Sequence, residues 1–156
     1  MGNLKGPRNR GARLLCSLLL LSIFSLFSLV RCTEETYRDG TYTGRSSPDD
    51  RGAYGEVELT LAEGKVRGCR FVTWQKDGTI KDEQYGKING EISNLDYYEK
   101  AQLAVRAMEH YAARYVEVQD VRKLDQVEAV SGATIAYQQF MEAVEQALEY
   151  AREVAP

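Results

Sequence analysis

Apolar and polar positions divide the chain into stretches of different period. From Leu14 to Val30 apolar residues run almost unbroken for 17 positions. From Glu56 to Leu61 they alternate, with Val57, Leu59 and Leu61 on one side and Glu56, Glu58 and Thr60 on the other, which predicts a half-buried strand. From Ser93 to Arg114 they recur every three or four residues: Tyr97, Ala101, Ala104, Val105, Met108, Tyr111 and Ala112, continued by Tyr115. That predicts an amphipathic helix whose apolar stripe is core. Ser93 with Asp96 approximates a capping box for it. Phe140, Met141, Val144, Leu148 and Ala151 mark a second helix ending near Glu153.

Turn chemistry fills in the rest. Asp39-Gly40-Thr41-Tyr42-Thr43-Gly44 reads as a strand on the β preference of Thr and Tyr. Ser46 to Gly55 is a loop carrying Pro48 and two glycines, and Glu63-Gly64 closes a hairpin. The strand from Lys65 holds Val66, Cys69 and Phe71, whose alternation breaks once. A bulge at Gly68 restores the phase. Trp74 to Gly90 is a polar, glycine-bearing loop, and Val116 to Val121 reads as a short strand. Strands, a helix, a short strand and a helix predict an α+β domain, with two helices packed on one face of a small, mainly antiparallel sheet.

The first 31 residues stand apart. Lys5, Arg8, Arg10 and Arg13 precede the apolar run with no acidic residue, the pattern of a signal peptide or membrane anchor that sends the remainder across the membrane. Cys32 ends the run with Leu29 three places before it, an arrangement that looks like a bacterial lipoprotein signal, although Arg31 stands where a small residue is usual. Lipidation at Cys32, a plain anchor and a signal cut elsewhere all remain open. Residues 32–38 form a polar tether and 39–156 one domain.

Charge and cysteines narrow the chemistry. The chain carries a formal charge of −3, and residues 1–31 hold five basic and no acidic side chains, which leaves the remainder near −8. An acidic domain without a basic stripe argues against nucleic acid. Cys16, Cys32 and Cys69 make no CxxC or Cys/His cluster, so a zinc or iron–sulfur site is not expected, and Cys69 reads as a small core residue. One histidine, His110, lies off the helical stripe and offers no catalytic triad. No glycine-rich dinucleotide fingerprint or P-loop is present.

The candidate chemistry sits at Glu128-Ala129-Val130-Ser131-Gly132-Ala133-Thr134. Physically this is a helix start: Ser131 as N-cap, Gly132 and Ala133 adding no bulk, and Thr134 near the third position beside the free N–H groups. Such an end favours an anion, phosphate above all. A merely capped helix is the plainer alternative. The Ser-Gly-Ala-Thr letters with an acidic residue three places before them resemble the flavinylation motif of the FMN-binding domain family, and Asp-Gly-Thr-Tyr-Thr-Gly resembles its opening strand. That family includes FMN-carrying subunits of the sodium-pumping NADH:quinone reductase and of the Rnf complex, and small extracytoplasmic flavoproteins. Glu128 stands where the family usually has Asp, and the Thr-Pro-Gly turn common near residues 74–90 is missing.

The resemblance implies FMN as cofactor, esterified through its phosphate to Thr134 by an ApbE-like flavin transferase, with Ser131, Gly132, Ala133 and Glu128 completing the recognition sequence. It implies an electron carrier, held at the outer face of the membrane with membrane redox partners, rather than a self-sufficient enzyme. Trp74 and Tyr85 are candidates to cover the flavin ring, with packing on the sheet edge as their plainer role. A non-covalent FMN reductase and a flavin-free anchored module of the same fold are the alternatives.

Overall fold

The computed structural model describes residues 36–152. The apolar segment 1–31 and Cys32 lie outside the described residues, and the last helix, expected to end near Glu153, ends at Ala151. Among those described, no helix is long and apolar enough to cross a membrane.

Three strands form an antiparallel sheet in the order β1 (Gly40–Arg45), β2 (Tyr54–Ala62), β3 (Lys65–Trp74). Two helices follow, α1 (Leu95–Val118) and α2 (Thr134–Ala151), with a 3₁₀ turn at Leu124–Gln126 between them. The alternation read in β2 sets the layers. Val57, Leu59 and Leu61 are fully buried, while Glu58 is exposed and Glu56 forms an outer-face pair with Arg45 at 2.7 Å. Phe71 and Thr73 of β3 join the buried face. Against it pack Ala107, Met108, Tyr111 and Tyr115 of α1 and Phe140, Ala143, Val144 and Ala147 of α2. Each large apolar side chain buried there stabilises the fold by about 2 kcal/mol.

The hairpin at Glu63-Gly64 forms as expected, both residues having positive φ (54° and 68°). Thr60 pairs with Gly68 but Leu61 pairs with Val66, so Arg67 is the extra residue of a bulge beside Gly68. The bulge returns Val66 to the buried face, which is why alternation breaks there. Gly44 is required by close approach: a Cβ there would run into the Ala143 carbonyl and the Ala147 amide of α2.

Two sequence expectations are corrected. The cap of α1 is Asn94, not Ser93: Asn94 Oδ1 accepts the Tyr97 N–H at 3.0 Å. Asn at this position supplies the acceptor that the capping box assigned to Ser. The stretch expected as a strand, Val116 to Val121, instead continues α1 to Val118, because Tyr115 keeps the helix on the core and its hydroxyl donates to the Val121 carbonyl at 3.0 Å. Gln119, at φ 58°, ends the helix in the left-handed conformation.

Candidate functional site

The start of α2 is built by a tight turn. The Ala133 N–H bonds the Val130 carbonyl at 3.0 Å, and Gly132 between them has φ 85°. Glycine is the residue that adopts this third turn position without strain. The turn corrects the expected cap. Ala133, not Ser131, is the N-cap, with no side-chain cap bond, and Thr134 is the first helical residue. The reversal at Gly132 places Ser131 two residues outside the helix, in the exposed part of the turn. Glu128, Ser131, Gly132 and Thr134 are exposed; Ala133 is buried.

Sequence reasoning gave Tyr111 to the core stripe and missed its second role. Its ring is fully buried against Phe140 and Tyr137, with centroids 5.7 and 5.5 Å away. Its hydroxyl accepts the Val130 N–H at 3.0 Å and donates to the Ala133 carbonyl at 3.4 Å, so one side chain of α1 holds both ends of the turn that presents Thr134. Burial raises the phenol's pKa above its ordinary value, so it stays a donor at neutral pH.

Beside this turn lies a cleft of about 840 Å³, within the usual range of small-molecule sites. Ile135, Ala136 and Gln139 of α2, Met108, Ala104 and Tyr97 of α1, and Thr73 at the end of β3 wall it. Thr134 itself is not a wall residue, but the two residues after it are. The β1–β2 loop closes a further side through Asp49, Arg51 and Ala53. Asp49 Oδ1 folds that loop by accepting the N–H groups of Arg51 and Ala53, each at 2.9 Å.

The last wall is the Gln75–Lys81 and Tyr85 region. It is held to α1 by side chains. Gln102 Nε2 donates to the carbonyls of Asp82 (3.0 Å) and Tyr85 (2.9 Å). Tyr98 Oη donates to Glu83 O at 3.3 Å. Gly86, at φ 95°, lets the loop touch α1, since a Cβ there would lie 2.8 Å from Ala101 Cβ. Lys81 Nζ sits 5.1 Å from the Tyr85 ring centroid, and burial lowers its pKa. The structure thus places Tyr85 in the cleft. It does not bring Trp74 there: Trp74 pairs with Tyr54 across the sheet and bridges to Ile80. Gln102 and Gln139 carried no signal in sequence, because a polar side chain on a helix acquires such a role only through the loop that reaches it.

Two polar groups on the cleft wall lack good partners. Gln139 is 4% exposed and its Oε1 has no hydrogen-bond partner among the described residues. Thr73, 1% exposed, has its hydroxyl against Met108 Sδ at 3.0 Å. An aromatic, partly apolar cleft with unmet polar groups, opening at a helix N-terminus, fits a flat heteroaromatic ring carrying a phosphate arm.

The crystal structure of the CPE2226 protein from Clostridium perfringens is similar in fold, with a TM-score of 0.56 at 18% identity, covering 74% of this chain and 89% of that one. No curated protein matches the chain. The model of the FMN-binding domain matches residues 52–149, a span that holds β2, β3, α1, the Thr134 turn, all but the last two residues of α2 and most of the cleft wall. The chain belongs to the FMN-binding domain family, and its cofactor is FMN.

Proposed function

We propose that this protein is a membrane-associated electron carrier outside the cytoplasm, its FMN esterified through the phosphate to Thr134. The observation that carries this reading is the presentation of Thr134: exposed, at the first position of α2, on a turn that Tyr111 fixes from the core, with Ile135 and Ala136 leading into the cleft. The basic and apolar N-terminal segment supports the location, and the Ser131–Thr134 letters support the attachment.

Attachment forms a bond between Thr134 Oγ1 and the FMN phosphorus, breaks that phosphorus's bond to the leaving group of an activated flavin donor, and releases the hydroxyl proton to the transferase. This chain's part is to hold Thr134 out for a partner enzyme. The resulting phosphodiester keeps one negative charge. The first turn of α2 offsets it, having no acidic residue and N–H groups that face outward without helical partners. Tyr85 and Tyr97 offer aromatic faces for the ring, and Lys81 adds a cation beside Tyr85. Bound FMN supplies one- and two-electron transfer. His110, the chain's sole histidine, is exposed on α1 and is not among the residues lining the cleft.

The test is co-expression of the full chain with an ApbE-like transferase, followed by denaturing gel fluorescence. A fluorescent band is expected. Flavin released wholly on denaturation would replace covalent attachment with non-covalent binding.

A further inference from the structure

The part of the cleft wall formed by Ala53, Ala104, Met108 and Ala136 is apolar, and set into it are the two under-partnered groups, Thr73 and Gln139. They are neighbours. Thr73 pairs with Gly55 across the sheet, and a Cβ on Gly55 would stand 3.0 Å from Gln139 Cβ. Their orientation is fixed by chemistry. The Ala53 carbonyl can only accept, so the Gln139 amide turns its NH₂ to it, at 2.9 Å. That leaves Oε1 as a buried acceptor with nothing to accept from. Thr73 spends its hydroxyl proton on a thioether sulfur, a weak acceptor. A well-packed interior does not keep an unmet acceptor beside an under-used donor without reason.

We propose that Thr73 and Gln139 together read the imide edge of the flavin, Gln139 Oε1 accepting the ring N3–H and Thr73 donating to the neighbouring ring carbonyl. This rests on the FMN reading and adds the ring's direction to it. The pyrimidine end enters the cleft, since it alone carries a donor beside an acceptor. The dimethylbenzene end, which has neither, stays at the mouth, where Tyr97 (46% exposed) and Ile135 (57%) offer apolar surface.

The test uses the full chain, produced without transferase, purified in detergent and titrated with FMN and with N3-methyl-FMN while flavin fluorescence is followed. Methylation removes the donor and leaves Oε1 unmet, so N3-methyl-FMN binds roughly tenfold more weakly than FMN. Gln139→Leu binds the two flavins equally. Thr73→Val, nearly isosteric, weakens both by the same few-fold factor and keeps the preference for FMN. Thermal melts check that each variant folds, and the wild-type discrimination needs no variant at all. Equal binding of both flavins by the wild-type chain, or a Gln139→Leu chain that still discriminates, overturns the proposal and leaves the FMN reading standing. So does a wild-type chain that takes FMN through the transferase but not from solution. A chain that takes FMN neither way overturns both.

Discussion

The two ends of the site are held in different ways. At the Thr134 end, a short turn is closed by its own backbone bond and gripped by a single buried hydroxyl, Tyr111, from the centre of the core. At the Tyr85 end, a polar loop is held from outside by long side chains of α1, chiefly Gln102 and Tyr98, through its carbonyls. The first end is tied straight into the core through one buried ring, and the second is tied to the face of α1 through three side-chain bonds to its carbonyls. The difference suits a cofactor anchored at one end and admitted at the other.

Breaking the Thr134 end has the larger expected effects. Gly132→Val forces a β-branched residue to φ 85° and crowds Leu103 Cδ2, 2.9 Å from the new Cβ. Its cost is about 2–3 kcal/mol, read in chemical denaturation, with flavin attachment falling alongside. A chain with unchanged stability and attachment would show that the turn is not needed in this form. Tyr111→Phe removes the hydroxyl but keeps the ring packing, and leaves the Val130 N–H without its partner. It costs about 1–2 kcal/mol, and hydrogen exchange at Val130 and Ala133 quickens while residues 82–86 are unaffected.

Gln102→Leu sharpens the comparison from the other side. Losing two part-exposed bonds lowers global stability by about 1 kcal/mol. Exchange quickens at residues 82–86 and flavin binding weakens, yet attachment at Thr134 persists. If attachment falls as steeply as with Tyr111→Phe, the two ends are one unit. The smallest effect concerns Cys69, away from both ends. Burial pushes its pKa up to about 12. Below about pH 8.5, the ordinary thiol value, it is protonated in folded and unfolded chains alike. Between there and pH 12 only the unfolded chain ionises, so stability falls as pH rises. Cys69→Ala removes this slope, worth about 1 kcal/mol or less at pH 9. An identical pH dependence in wild type and Cys69→Ala would contradict the burial.

The same contrast governs what the sequence discloses. Where one face is buried, period reports structure directly: Val57, Leu59 and Leu61 give β2, and the broken phase at Gly68 gives the bulge beside it. The Ser-Gly-Ala-Thr letters locate the helix start to within three residues, but not its cap, because Gly132 can turn the chain either inside or before the first helical turn. Val116 and Val118 have strand propensity and were outweighed by Tyr115 holding the helix to the core. The cleft was least legible. Tyr85 was within reach of a composition argument. Gln102 and Gln139 were not, since their partners are backbone carbonyls 17 to 86 residues away.

The most direct measurement of the central claim is the intact mass of the full chain, denatured, after co-expression with an ApbE-like flavin transferase, beside Thr134→Ala and Ser131→Ala. The account predicts one FMN on the wild-type chain and none on Thr134→Ala. On Ser131→Ala it predicts a lowered flavinylated fraction, because Ser131 belongs to the letters the transferase reads, with unchanged stability, because no side chain caps α2. A Thr134→Ala chain that still carries FMN through denaturation, or a wild-type chain left bare while the transferase labels a control protein, contradicts it.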